Sequence, residues 1–276
     1  MQQGRISLRG TAHGNLPGVR PGMLETDLLR ALDRREIEVL FQPQFACVSG
    51  ALTGAEALAR WQHPTLGVIG ACDLFAIAER ARLVAPLSRH VVARALEDAG
   101  TWPHNLTLSL NITPEELGDP RFAHDFAVLI GQSTIVPSRL MLEITEDLLL
   151  RNLPQAASAL RALRGLGFRI ALDDFGAGFC NFRYLRELPL DALKLDKAMV
   201  GGVPGDPTAL AVFRAIVALG KALRLAIYAE GVETEIQRAA ITAEGCDFWQ
   251  GFLRAEPIPS DAVVALSRTV RGMGHG

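Results

Sequence analysis

From Leu24 onward the apolar positions follow first a helical and then a strand-like spacing, after which the two alternate. Residues 24–35 place Leu24, Leu28 and Leu32 on one stripe, which predicts an amphipathic helix. The runs VLFQPQF and ALTGAEALARW have strand length and flank Ser49-Gly50, a plausible turn, so they are expected to pair antiparallel. Helical stretches over 73–98, 119–132, 154–165, 181–187, 207–222 and 233–244 then lead to the runs LTLSLN, RLMLE, FRIALD, ALKLD, LRLAIYAE and CDFWQ. A final helix is predicted over 260–271. Helix followed by apolar strand, repeated, is the pattern of βα units and a parallel sheet. The eight strands match the number that closes a barrel. An open doubly wound sheet is the competitor, but it usually binds at one switch point after one or two strands. Here polar residues end nearly all the strands, which favours an α/β barrel.

A chain of 276 residues allows two modest domains or one barrel. Without a short-period repeat, one domain over 23–276 is expected, with 1–22 as a flexible lead-in or linker. The composition, 49% hydrophobic and 21% charged, excludes a disordered chain, a collagen and a coiled coil. Twenty-eight basic against 30 acidic residues give a net charge of −2, so no DNA or RNA polymer is expected as a partner. An anionic ligand would need a local site. The sequence shows neither an apolar run of membrane-spanning length nor a signal peptide, which points to the cytoplasm and no membrane contact. Cys47, Cys72, Cys180 and Cys246 lack metal-binding spacing and read as buried free thiols.

The strand ends carry the chemistry: Asn111, Glu143, Asp173 with Asp174, Lys194 with Asp196, Glu230 and Gln250, while Glu56 lies inside the second run. In a barrel all of them point to one mouth. Five bare carboxylates there (Glu56, Glu143, Asp173, Asp174 and Glu230) would repel strongly, and divalent cations resolve the conflict. Oxygen donors without His or Cys favour Mg²⁺ or Mn²⁺ over zinc. The adjacent pair Asp173-Asp174 suits two ions, the arrangement used for phosphoryl displacement. Lys194 is placed to orient a water or to neutralise developing charge. Taken singly, each acidic residue reads more readily as an N-cap for the next helix, above all Asp196 and Glu233, but the whole set, with Asn, Gln and Lys among it, does not. Gly176 and Gly178 read either as a plain turn or as a loop that moves to place the acidic pair.

The segments FQP (41–43), EALAR (56–60), NIT (111–113), EITE (143–146), DDFGAG (173–178), KLD (194–196), AEGVE (229–233) and QGF (250–252) stand in an order and spacing that resemble the EAL domain family of cyclic di-GMP phosphodiesterases, over about residues 24–265. The resemblance implies a modified TIM barrel with one antiparallel strand. It implies hydrolysis of cyclic di-GMP, a bacterial second messenger, to linear pGpG with two Mg²⁺ or Mn²⁺ ions per active site. By position, Glu56, Asn111, Glu143 and Asp173 resemble ligands of the first metal, and Asp173, Asp174 and Glu230 those of the second. Lys194 resembles the residue holding the nucleophilic water, beside Gln250. Gln42, Leu58, Arg60, Asp196 and Glu233 fall where the family contacts or organises the substrate, and Glu146 where it steadies the loop after Asp174. The resemblance also implies a homodimer, and leaves room for an upstream sensory or GGDEF domain.

The family loop commonly reads DFGTGYSS; here Ala177, Phe179, Cys180 and Asn181 depart from it, which bears on regulation. Ala71 stands where a proline is usual, and Ala198-Met199 replaces a polar-aromatic pair. Two further readings remain: a non-catalytic cyclic di-GMP receptor, and a partner-binding barrel without ligand.

Overall fold

The structure is a computed structural model describing residues 22–145, 153–177 and 182–272. Nine strands form one sheet: β1 (Ile37–Ala46), β2 (Leu52–His63), β3 (Gly67–Ile69), β4 (Thr107–Asn111), β5 (Leu140–Thr145), β6 (Arg169–Phe175), β7 (Ala192–Leu195), β8 (Ala226–Ala229) and β9 (Phe248–Gln250). Eight of them close a barrel in the order β1-β9-β8-β7-β6-β5-β4-β2, with β2 returning to β1. β2 through β4, β5, β6, β7 and β8 to β9 pair in parallel. Of these eight, β1 alone runs against this direction, pairing antiparallel with β9 in the register Gln44 to Gln250. The α/β barrel with one reversed strand is therefore observed. The short β3 is a ninth strand that the sequence reading did not include.

The chain divides into two compact units. The larger, residues 39–58 and 92–276, holds most of the barrel. Side chains of its strands alternate between two environments. Leu108, Leu110, Leu142, Ile144, Ile170, Leu172, Leu193, Leu195 and Ile227 are fully buried in the larger unit's core. The other face carries Met141, Ala171, Ala192 and Tyr228 as one apolar cluster. Two residues further along the same strands, on the same face, come Glu143, Asp173, Lys194 and Glu230. A charged layer thus stands directly on an apolar one.

In the smaller unit, the helix Met23–Arg34 turns Leu24, Leu28 and Ala31 inward. It packs against the helix Ala71–Ala81, whose buried residues are Leu74, Ile77 and Ala78, and Arg80 pairs with Glu25 at 2.9 Å. The helix predicted over 73–98 is two helices, Ala71–Ala81 and Val84–Ala99. Arg82 takes a left-handed conformation (φ 57°) and Leu83 N–H closes on the Ala78 carbonyl, a helix-ending turn that periodicity cannot reveal.

Two further short α-helices, and the 3-10 turn Pro137–Arg139, were not foreseen. Pro114–Gly118 starts at a capping box, in which Thr113 and Glu116 exchange hydrogen bonds. Lys197–Gly202 is capped by Asp196. The helices Leu153–Gly165, Phe182–Glu187, Pro207–Ala222, Glu235–Ala243 and Ser260–Gly272 lie where expected, and Phe122–Gly131 fills most of 119–132. Cys47 and Cys246 are buried, but Cys72 is exposed, correcting the expectation of uniformly buried thiols. It sits on the first turn of its helix, off the Leu74–Ile77 stripe. Cys180 and residues 1–21 lie outside the described residues. No helix among the described residues is long and apolar enough to cross a membrane.

Candidate functional site

Eight of the expected residues converge at the ends of the barrel strands in the larger unit. Glu56 comes from β2, Asn111 from β4, Glu143 from β5, Asp173 and Asp174 from β6, Lys194 from β7, Glu230 from just past β8, and Gln250 from β9. The ammonium of Lys194 is fully buried at their centre, 2.7 Å from Glu143, 2.8 Å from Glu230, 3.1 Å from Asp173 and 3.3 Å from Glu56. Asn111 donates to Glu56 Oε1 at 2.9 Å. Gln250 Nε2 donates to Glu56 Oε2 at 2.8 Å and to Glu230 Oε1 at 2.9 Å.

One ammonium faces four carboxylates, and the protonation equilibria show it. Burial pushes Glu143 and Glu230 well above the usual carboxylate range and Asp173 upward, and Lys194 offsets this only in part. Burial also acts on Glu56, but the charge of Lys194 and hydrogen bonds from Gln250, Asn111 and Lys194 outweigh it, so this carboxyl sits below its ordinary value. Burial and the neighbouring Asp173 push Asp174 up to about 6. Burial would lower Lys194, but the four carboxylates raise it well above an ordinary lysine.

The donor set fits hard divalent cations. Carboxylate oxygens of Glu56, Glu143 and Asp173 lie within 4.8 Å of one another, and so do those of Asp173, Asp174 and Glu230. Asp173 belongs to both groups. Glu143 Oε1 is buried without a hydrogen-bond partner, a lone-pair site left open on a carboxylate facing its neighbours. All donors are oxygen, the preference of Mg²⁺, Mn²⁺ and Ca²⁺.

The turn after β6 is tightly built. Asp174 is left-handed (φ 54°), its N–H bonds to Asp173 Oδ1 at 2.9 Å, and Ala177 N–H returns to the Asp174 carbonyl at 3.1 Å. Gly176 has φ 100°, and a Cβ there would lie 2.0 Å from Met199 Sδ. The backbone angle therefore favours glycine here, and any side chain would also have to push the Met199 thioether aside. Phe179, Cys180 and Asn181 of the departing loop, and Glu146, lie outside the described residues.

The expected substrate residues are placed less uniformly. Gln42 is buried on β1 and donates to the Ala255 carbonyl at 2.9 Å. Leu58 is half-buried on β2, on the same face as Glu56. Asp196 caps a helix by accepting from Ala198 N–H at 2.8 Å, and its charge also acts on Asp174. Glu233 is exposed and is not a cap; Thr234 caps the following helix through a capping box with Gln237. Arg60 falls in the smaller unit, where its Nη1 donates to the Ala59 carbonyl at 2.8 Å.

The sequence reading missed Gln44 and Ser109. Gln44 Nε2 donates to Gln250 Oε1 at 3.0 Å and to Ser109 Oγ at 3.4 Å, and both residues are fully buried. The available signal was strand alternation, since Gln44 stands two residues beyond Gln42 on the same face of β1.

The sequence profile described as "EAL domain" matches residues 25–257. An uncharacterized signaling protein of Caulobacter vibrioides is 38% identical over 243 residues, covering 87% of this chain and 30% of that protein. A cyclic di-GMP phosphodiesterase of Pseudomonas aeruginosa is 36% identical over 239 residues, covering 85% of this chain and 41% of that protein. The chain thus spans less than half the length of these relatives. Among solved structures, the PaMucR phosphodiesterase in complex with c-di-GMP superposes with a TM-score of 0.82 at 32% identity, covering 87% of this chain and 99% of that one. An EAL enzyme holding cAMP and cyclic-di-GMP superposes with a TM-score of 0.83 at 28% identity, covering 88% of this chain and 68% of that one.

Proposed function

Because the chain belongs to the EAL domain family, we propose that it hydrolyses cyclic di-GMP to linear pGpG with two divalent cations, Mg²⁺ or Mn²⁺. The observation that carries this reading is the pair of oxygen-donor groups sharing Asp173, gathered around a buried lysine. Glu56, Asn111, Glu143 and Asp173 would hold one cation, and Asp173, Asp174 and Glu230 the other. When bound, such a pair would polarise a phosphodiester and lower the pKa of the attacking water.

The protein's own groups do the rest. Lys194, kept protonated by its carboxylates, orients the attacking water and offsets charge that develops on phosphorus oxygens. The amide of Gln250 fixes Glu56 and Glu230 beside that water. Gln42, Leu58, Asp196 and Glu233 contact or organise the dinucleotide. Water adds at one phosphorus, the bond to the 3′ oxygen breaks, and that oxygen takes the proton, leaving a 5′-phosphorylated linear product.

The assay is product chromatography after incubation with cyclic di-GMP and Mg²⁺, beside a sample in EDTA. Metal-dependent pGpG is expected, and Glu56→Ala or Lys194→Ala should abolish it. Unaltered turnover in either variant would overturn the site assignment. Tight nucleotide binding in Mg²⁺ with no pGpG would make the domain a receptor instead.

A further inference from the structure

Gln250 presents an amide to two carboxylate oxygens, Glu56 Oε2 and Glu230 Oε1. An amide has two faces. Rotated by half a turn, it would aim its carbonyl oxygen at both carboxylates, acceptor against acceptor. The partner of Oε1 adds a second, independent constraint on that orientation. That partner is Gln44, directly opposite Gln250 in the β1–β9 register, donating Nε2 at 3.0 Å. The same Nε2 also meets Ser109 Oγ at 3.4 Å, on the strand position paired with Glu56. Gln44 is 1% exposed, and burying an amide is costly unless its hydrogen bonds are made. Its side chain reaches the carboxylates through Gln250.

We propose that Gln44 is a positioning residue for the reaction. It locks the amide of Gln250 so that both N–H groups face Glu56 and Glu230, and thereby sets the orientation in which these carboxylates meet a cation. The proposal rests on the reading of the site given above, but its first readout does not need turnover.

The test is Gln44→Leu, which keeps the volume and removes the donor, with Gln44→Met as a second variant should the first fold poorly. Mn²⁺ affinity, read from the free-ion electron paramagnetic resonance signal, should fall by about 10- to 100-fold, the usual scale for groups that hold a metal ligand in place. The kcat for cyclic di-GMP should fall on the same scale while KM stays within about 2-fold, because no substrate contact is lost. In a Gln250→Leu background, Gln44→Leu should cause no further loss, since it acts through that amide. A role in packing alone would leave a folded variant with unchanged Mn²⁺ affinity, or losses that add in the double variant, and either result overturns the proposal. Should the wild-type domain release no pGpG, the proposed reaction falls, and the Mn²⁺ measurements still decide the role of Gln44.

Discussion

Lys194→Met in metal-free protein is the sharpest test of the cluster's electrostatics. The wild-type ammonium lies between 2.7 and 3.3 Å from four buried or nearly buried carboxylates. At an effective dielectric of about 20, one such contact is worth about 5–6 kcal/mol, and a carboxylate pair just under 5 Å apart costs about 3–4 kcal/mol. Without the ammonium the repulsion is unopposed, and the folded state relieves it by binding a proton. Neutralising one more carboxylate at pH 7 costs about 1.36 kcal/mol per unit above an ordinary value near 4.3, or about 4 kcal/mol. That agrees with the roughly 3–5 kcal/mol lost when one partner of a buried pair is removed. In a chain of this size the melting temperature should drop by roughly 8–16 °C. The proton is taken up by the folded state, where the carboxyl titrates above its unfolded value, so the deficit should shrink as pH falls from 7 toward 5. Mn²⁺ should restore part of the loss, because a cation held by the folded state alone stabilises it. The assay is calorimetry in EDTA at both pH values, then with Mn²⁺. A variant melting within about 2 °C of wild type in EDTA at pH 7, well short of the shift expected, would refute the reasoning.

Three other outcomes follow from the geometry. Asp174, pushed up to about 6, holds a proton in the folded state over a range where the unfolded chain has lost it; metal-free stability should decline as pH rises through that range, and Mn²⁺ affinity should weaken below pH 6, both less so in Asp174→Asn. An affinity flat from pH 7 to pH 5 would contradict this. At Gly251, φ is 157° and a Cβ would lie 2.2 Å from the Val232 carbonyl oxygen; Gly251→Ala should cost about 3 kcal/mol or more in urea unfolding, and a near-neutral result would exclude this packing. Maleimide labelling with peptide mapping should modify Cys72 quickly and leave Cys47 and Cys246 unmodified in native protein, since burial raises both of the latter thiols, Cys47 to about 11. Equal labelling of all three would place the buried pair wrongly.

The barrel was legible because nearly all the strands end in polar residues after an apolar run, and the long helices carry a stripe. The site was legible for the same reason, since Glu143, Asp173, Lys194 and Glu230 all sit at the same point of their βα unit. What stayed hidden depends on single backbone angles or on contacts across the barrel. Arg82 ends a helix inside an unbroken apolar pattern by turning left-handed. Asp196 offered a cap from its place before a helix, and it is a cap in the structure. Glu233 looked like a cap, yet the Thr234–Gln237 spacing provided a better one. Gln44 acts on a residue 206 positions away, and no local pattern announces such a partner.

The reversed first strand ties the site to the closure of the barrel. β1 finds its partner β9 near the end of the sequence. A product truncated before Phe248 would contain every carboxylate of the cluster and Lys194, but not the strand that closes the ring. It would leave β1 and β8 with unpaired edges, templates for pairing with other chains. It would also lack Gln250, so Glu56 and Glu230 would lose their common donor. Closure requires contacts of long sequence separation, which form late and slowly. A nascent chain therefore carries the acidic residues well before it has a site able to hold a cation, and only the last strand of the barrel completes it.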